Sequence, residues 1–246
     1  MRPVLFDIQG FAVPAYGLTM LMLFLSGLLL LRHQVSPLGV NDGHMIDLAA
    51  IAAGAILLWL GFGMVITRFH FIGSPYLNAL PVLAIGAFAY LAYLRGQRLP
   101  AEPIFDAIAP IAAFALAVQY GVGTLLAGTA FGKPTDLPWG LSFPPGSPAY
   151  RVYGPTPLHP VQLYLGLSFL AIAVAGWFAP MKMKAGQRAL MIFVALSTVY
   201  LLTSPLRGNT TSFLAGGAPR MSEVVALFVL LYCSFMAWRR RDTVPQ

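Results

Sequence analysis

The stretch Gly132–Gly140, GKPTDLPWG, continues through LSFPPGSPAYRVYGPTPLHPVQLY to Tyr164 and interrupts an otherwise strongly apolar chain. It is dense in glycine and proline and poor in charge. Glycine opens backbone conformations closed to other residues, and proline prevents a helix from continuing. The stretch therefore reads as irregular, semi-rigid chain. Around it, 58% of the 246 residues are hydrophobic, 9% are charged and the mean hydropathy is +0.76. A soluble domain carries about 25% charged residues, so the bilayer must act as the solvent. Irregular backbone at membrane depth is tolerated only where it is buried in protein or lines a wet cavity. The long segment over 122–159 is thus expected to cap a polar site.

Outward from this segment, about seven runs are apolar and long enough for a spanning helix. They fall near 13–31, 46–66, 76–94, 103–121, 160–179, 187–206 and 221–238. An odd number of spans puts the termini on opposite sides. With the C-terminus inside, nine basic residues face the cytoplasm (Arg32, Arg95, Arg98, Lys182, Lys184, Arg188 and Arg239 to Arg241). Six face outward (Arg2, Arg68, Lys133, Arg151, Arg207 and Arg220). Lys and Arg concentrate in cytoplasmic loops, so the N-terminus is expected outside and the C-terminus in the cytoplasm. The expectation is an all-α integral membrane protein forming one polytopic domain over 1–246. The first run lacks a small-x-small cleavage site and is expected to be a retained helix.

The net charge of +7 does not point to nucleic acid, because the basic residues are scattered between apolar runs with no basic stripe. Cys233, the single cysteine, cannot form an intrachain disulfide. Four scattered histidines and one cysteine offer no metal-ligand spacing, and neither a metal nor a cofactor is expected.

Ionisable groups within a bilayer are costly and mark candidate sites. Asp47, Glu102, Asp106 and Glu223 each begin a span, where the helix dipole favours an acid. His159 precedes Pro160, a helix-start signal, with Gln162 three residues on. A histidine can exchange protons near neutrality. Arg207 follows the sixth run on the outer side, against the usual charge bias, and its planar fork of donors suits a phosphate. Tyr16, in PAYGLTM, offers a phenol near the start of the first span.

Tyr16-Gly17 opening the first span, GKPTDLPWG, HPVQLY and Arg207 occur in this order. Together they resemble the prolipoprotein diacylglyceryl transferases, most densely between Asp106 and Arg207. The resemblance implies a multi-pass protein of the bacterial inner membrane that transfers a diacylglyceryl group from phosphatidylglycerol to the lipobox cysteine thiol of a lipoprotein precursor. On it, the expected catalytic residues are His159 as proton acceptor, Arg207 and Tyr16. The expected lipid-binding residues are Arg207, Gln162, Tyr164, Arg151, Lys133 and Asn78. Where the family pattern carries an arginine, asparagines and a glutamate before GKPTDLPWG, this chain has Gly121, Thr124, Ala127 and Thr129. Where a glutamate follows HPVQLY, it has Leu165; Asn78 is the nearest polar candidate where the family has His-Gly-Gly. A second reading therefore stands beside transfer: a catalytically silent homologue that binds lipid or serves as an assembly subunit of a membrane protein complex.

Overall fold

The computed structural model describes residues 4–8, 11–54, 79–179, 183–208 and 221–239. Asn78, Lys182, Arg220, Arg240 and Arg241 lie outside them. The chain divides into two compact units, residues 31–107 and residues 1–30 with 108–246.

The chain begins with an antiparallel hairpin of β1 (Val4–Ile8) and β2 (Phe11–Pro14), in the register Ile8↔Phe11, Asp7↔Ala12 and Phe6↔Val13. Apart from this hairpin and isolated bridges, the regular elements of the described residues are helical, as expected. The two short segments, VLFDI and FAVP, are rich in the β-branched and aromatic residues that favour strands, but too brief to stand out beside a twenty-residue apolar run. Helix α1 (Ala15–Val35) follows directly.

In the unit 31–107, a helical stretch over 42–54 (α2) is capped by Asn41, whose Oδ1 accepts from His44 N at 2.9 Å. A side-chain oxygen before the first turn satisfies one of the amides that every helix start leaves open. Asp47 accepts a 2.6 Å hydrogen bond from Tyr93 on α3 (Ala79–Gly96). Arg32 and Asp42 pair at 2.8 Å with both side chains well exposed. Such a pair contributes little stability.

The remaining helices belong to the other unit from residue 108 onward. Helix α4 (Ala101–Val118) widens into a π-helical turn over Gln119–Thr124 and closes with α5 (Leu125–Ala127). Then come α6 (Pro148–Tyr153), α7 (Val161–Trp177), α8 (Gln187–Thr203) with a 3-10 turn over Ser204–Leu206, and α9 (Met221–Arg239). Among the described residues three stretches are long and apolar enough to cross a membrane, Ala101–Ala127, Gln187–Leu206 and Ser222–Arg239, while the apolar α7 is shorter. Helix α8 packs against both α7 and α9, and α7 packs against the π-helical turn.

That last contact depends on small residues. A Cβ on Gly166 of α7 would stand 2.6 Å from Gly121 Cα and 3.2 Å from Ala117 O. Between apolar helices, close backbone approach supplies the dispersion contact that lipid exclusion does not. At the penultimate residue of α7, a Cβ on Gly176 would meet Ile192 Cδ1 of α8 at 2.5 Å. The seams on either side of α7 are thus cut by glycine.

Candidate functional site

The stretch over 131–135 is not a loose loop. It runs as the middle strand of a small backbone-paired patch whose neighbours come from far along the chain. On one side Gly132 N donates to His159 O at 3.1 Å, His159 N to Lys133 O at 2.9 Å and Thr135 N to Pro157 O at 3.0 Å. On the other side Lys133 N donates to Leu206 O at 2.8 Å and Gly208 N to Phe131 O at 3.0 Å. Leu158 also exchanges both bonds with Leu141, at 2.9 and 3.0 Å. Proline interrupts every regular element here, so the pairing survives as single antiparallel bridges: Gly132 with Arg207, and Leu158 with Pro134 and Leu141. Phe131, Phe143, Ala149 and Leu158 form a buried core for this lid, with Leu141 and Tyr153 packed on it. Tyr153 also donates to Gly208 O at 2.6 Å. The lid therefore puts His159 and Arg207 on opposite sides of one strand.

Arg207 ends the 3-10 turn after α8 and is only 9% exposed. Its Nη1 donates to the Tyr200 hydroxyl, and the guanidinium lies 4.9 Å from the Tyr200 ring centroid and 6.0 Å from that of Tyr120. Tyr200 sits seven residues before Arg207, two helical turns on the same face of the chain. Tyr120 is fixed in turn by an edge-on contact with Phe169 at 5.7 Å. Burial works against the charge on Arg207, but Tyr200 and Tyr120 raise its pKa by more, so the guanidinium stays protonated. No carboxylate among the described residues pairs with it, and Nε has no hydrogen-bond partner there. Among the described residues this cation is held by phenols and ring faces, with no counter-charge.

His159 is half-buried, and its Nδ1 lies 3.4 Å from the Tyr164 hydroxyl. Tyr164 also receives a hydrogen bond from Trp139 Nε1 at 2.8 Å. Pro160 is the N-cap of α7, one residue before the first helical position expected for it. Gln162 is fully buried and its Nε2 donates to Thr129 O at 2.8 Å. Its Oε1 has no partner among the described residues. His159 and Gln162 thus share the mouth of α7 but serve different partners. Lys133 is half-buried and engaged through its backbone, and Arg151 is exposed on α6. Tyr16 lies on α1 with its side chain outside the described part, and Asn78 lies outside the described residues altogether.

Three of the positions that depart from the family pattern, Gly121, Thr124 and Leu165, are taken up by packing or by the backbone. Gly121 lies in the seam with Gly166. Thr124 is buried and turns its hydroxyl onto Tyr120 O of its own helix at 2.9 Å. Leu165 is fully buried, while Thr129 is exposed.

Sequence reasoning missed Tyr120, Tyr200 and Trp139, because an aromatic in an apolar run reads as packing or as an interfacial belt. It set Glu223 among the acids that begin a span, distinguished only by Arg220 three residues before it. Glu223 is 3% exposed and accepts from Ser204 Oγ, and Ser204 opens the turn that ends at Arg207. Glu223→Ala is expected to lower stability by about 1–3 kcal/mol, the cost of a buried donor losing its acceptor. Glu223→Gln keeps an acceptor and should lose clearly less. Thermal unfolding of the two variants in the same detergent checks this ordering.

Similarity to known proteins accords with the lid and its neighbours. The prolipoprotein diacylglyceryl transferase family matches residues 3–239. The phosphatidylglycerol–prolipoprotein diacylglyceryl transferase of Clostridium tetani is 25% identical over 252 residues, covering 96% of each chain. That of Polynucleobacter necessarius is 31% identical over 206 residues, covering 75% of this chain and 74% of its own. That of Legionella pneumophila is 24% identical over 262 residues, covering 98% of each. With its match running almost from end to end, the chain belongs to the prolipoprotein diacylglyceryl transferase family.

Proposed function

We propose that this chain binds phosphatidylglycerol with the lipid phosphate at Arg207, and transfers the diacylglyceryl group to the lipobox cysteine thiol of a lipoprotein precursor. The observation that carries the reading is the buried Arg207 guanidinium, charged, without a carboxylate partner among the described residues and with Nε unused. Transfer joins the thiol sulfur to the glycerol carbon and releases glycerol phosphate as the leaving group; the thiol proton goes to a base. The chain's contribution is to hold the phosphate while negative charge builds on it, which preorganised donors in a water-poor site do well. Family membership supports the substrate pair, since the named relatives are phosphatidylglycerol–prolipoprotein diacylglyceryl transferases.

In this reading the chain is one polytopic domain of the bacterial inner membrane. It crosses about seven times, with the N-terminus outside, the C-terminus in the cytoplasm and the segment 122–159 as an extracytoplasmic cap. His159, Gln162, Tyr164, Lys133, Arg151, Tyr16 and Asn78 are the further candidates for contact with lipid or thiol.

One observation favours a second reading, lipid binding without transfer as a subunit of a membrane complex. Gly121, Thr124 and Leu165, which stand where the family pattern is polar, are committed to helix packing or to their own backbone. A single assay separates the two. Purified protein is incubated with radiolabelled phosphatidylglycerol and a lipobox peptide, and both retained lipid and thioether product are measured. Product supports transfer. Retained lipid without product, and no rescue of a transferase-depleted strain, supports the second reading. Failure to retain phosphatidylglycerol overturns both.

A further inference from the structure

The Tyr164 hydroxyl stands between two rings with different hydrogen-bonding capacities. Trp139 Nε1 is 2.8 Å from it, and an indole N–H can only donate. The Tyr164 oxygen is therefore an acceptor on that side. Its own single proton needs a separate acceptor, and the nitrogen within reach is His159 Nδ1 at 3.4 Å. A neutral imidazole has one N–H and one lone pair, and the bond made at one nitrogen decides what the other carries.

Trp139 is not held in place by burial. The residue is 55% exposed, so its packing gain is small, yet the one polar atom of its side chain bonds to Tyr164. The backbone around it is anchored at each end. Thr135 N bonds to Pro157 O, Leu137 N to Thr135 Oγ1 at 3.2 Å and Gly140 N to Leu137 O at 2.9 Å. A Cβ on Gly140 would meet Pro157 Cβ at 3.0 Å, so the turn carrying the indole sits tightly against the strand that leads to His159.

We infer that Trp139, acting through Tyr164, is a positioning residue that fixes the tautomer of His159, with the lone pair at Nδ1 and the proton at Nε2. In that state His159 offers a ligand an N–H donor and not a vacant base. This reverses the role of proton acceptor expected for it. A second donor on the far side of the strand from Arg207 suits an anionic oxygen ligand of the phosphate-ester class. The inference rests on the reading of this lid as a phospholipid site, and it specifies what His159 does there.

The test uses the full-length protein in phosphatidylglycerol-free nanodiscs, labelled with nitrogen-15 in its histidine rings. The His159 signals are identified by their loss in His159→Asn. In the wild type, Nε2 should be the protonated nitrogen. Trp139→Phe should shift population toward the Nδ1–H form, and Tyr164→Phe should do the same, with thermal unfolding confirming that each variant is folded. Trp139→Phe should also weaken retention of phosphatidylglycerol several-fold. A wild-type ring protonated at Nδ1, or at both nitrogens, overturns the inference. So does a Trp139→Phe spectrum identical to wild type. If the tautomer behaves as expected but wild-type protein retains no phosphatidylglycerol, the relay stands and the assignment of the site to phospholipid falls.

Discussion

Gly132→Ala is expected to disrupt the lid and lower stability by about 3–5 kcal/mol, in the range that single substitutions reach only through a definite structural cause. The added Cβ would lie 2.3 Å from His159 O and 2.5 Å from His159 Cβ. The first of these is backbone and cannot rotate away. It is also the acceptor for Gly132 N, so moving it breaks the bond that pairs the two segments. Overpacking alone costs about 1–3 kcal/mol, and each lost backbone hydrogen bond adds about 1 kcal/mol. The strand is bonded on both edges, so displacement toward one neighbour strains the other. Gly208 meets the same wall from the opposite side, since its Cβ would stand 2.1 Å from Gly132 O. Gly121→Ala, with its nearest contact at 3.5 Å, is the matched control and should be tolerated. Thermal unfolding and limited proteolysis over 132–160 measure both. A Gly132→Ala protein that melts with the wild type and resists cleavage equally would show that the pairing does not hold the lid.

Arg207→Gln should abolish retention of phosphatidylglycerol while leaving the protein folded. Glutamine keeps a donor for the Tyr200 hydroxyl but removes the charge, so the aromatic pocket loses its cation and gains no clash. If the chain is an active transferase, the rate should fall about 10²–10³-fold, the usual effect of removing one electrostatic stabiliser of a developing anion, about 3–4 kcal/mol. Arg207→Lys should fall between, because a point charge replaces the fork but cannot lie flat between Tyr120 and Tyr200. A neutral lipid such as diacylglycerol should be retained equally by all three proteins. Equal retention of phosphatidylglycerol by wild type and Arg207→Gln would remove the phosphate from this arginine.

Much of this was legible in the sequence, for reasons that differ from element to element. Apolar runs report helices, and helices occur within each expected run among the described residues, three of them long and apolar enough to cross a membrane. Arg207 stood out in the sequence because a cation beside an apolar run is costly, and the structure finds it buried. The pairing of Gly132 with His159 and Arg207 was not legible. It joins segments 27 and 75 residues apart, and the prolines that break it into single bridges also erase the two-residue alternation by which strands are read. Tyr120 and Tyr200 were hidden by their own duality, since a phenol in an apolar helix looks like packing until a partner for its hydroxyl is known. The π-helical turn at Gln119–Thr124 leaves no periodic trace because it spans only one turn.

The contact of Gly121 with Gly166 is one-sided. The backbones meet so closely that Gly166 has no room even for a methyl group, with Gly121 N at 2.8 Å from where its Cβ would be. A methyl group at position 121 would only touch Gly166 Cα, at 3.5 Å. The seam is therefore keyed from α7: position 121 can change while the helices keep their distance, and position 166 cannot.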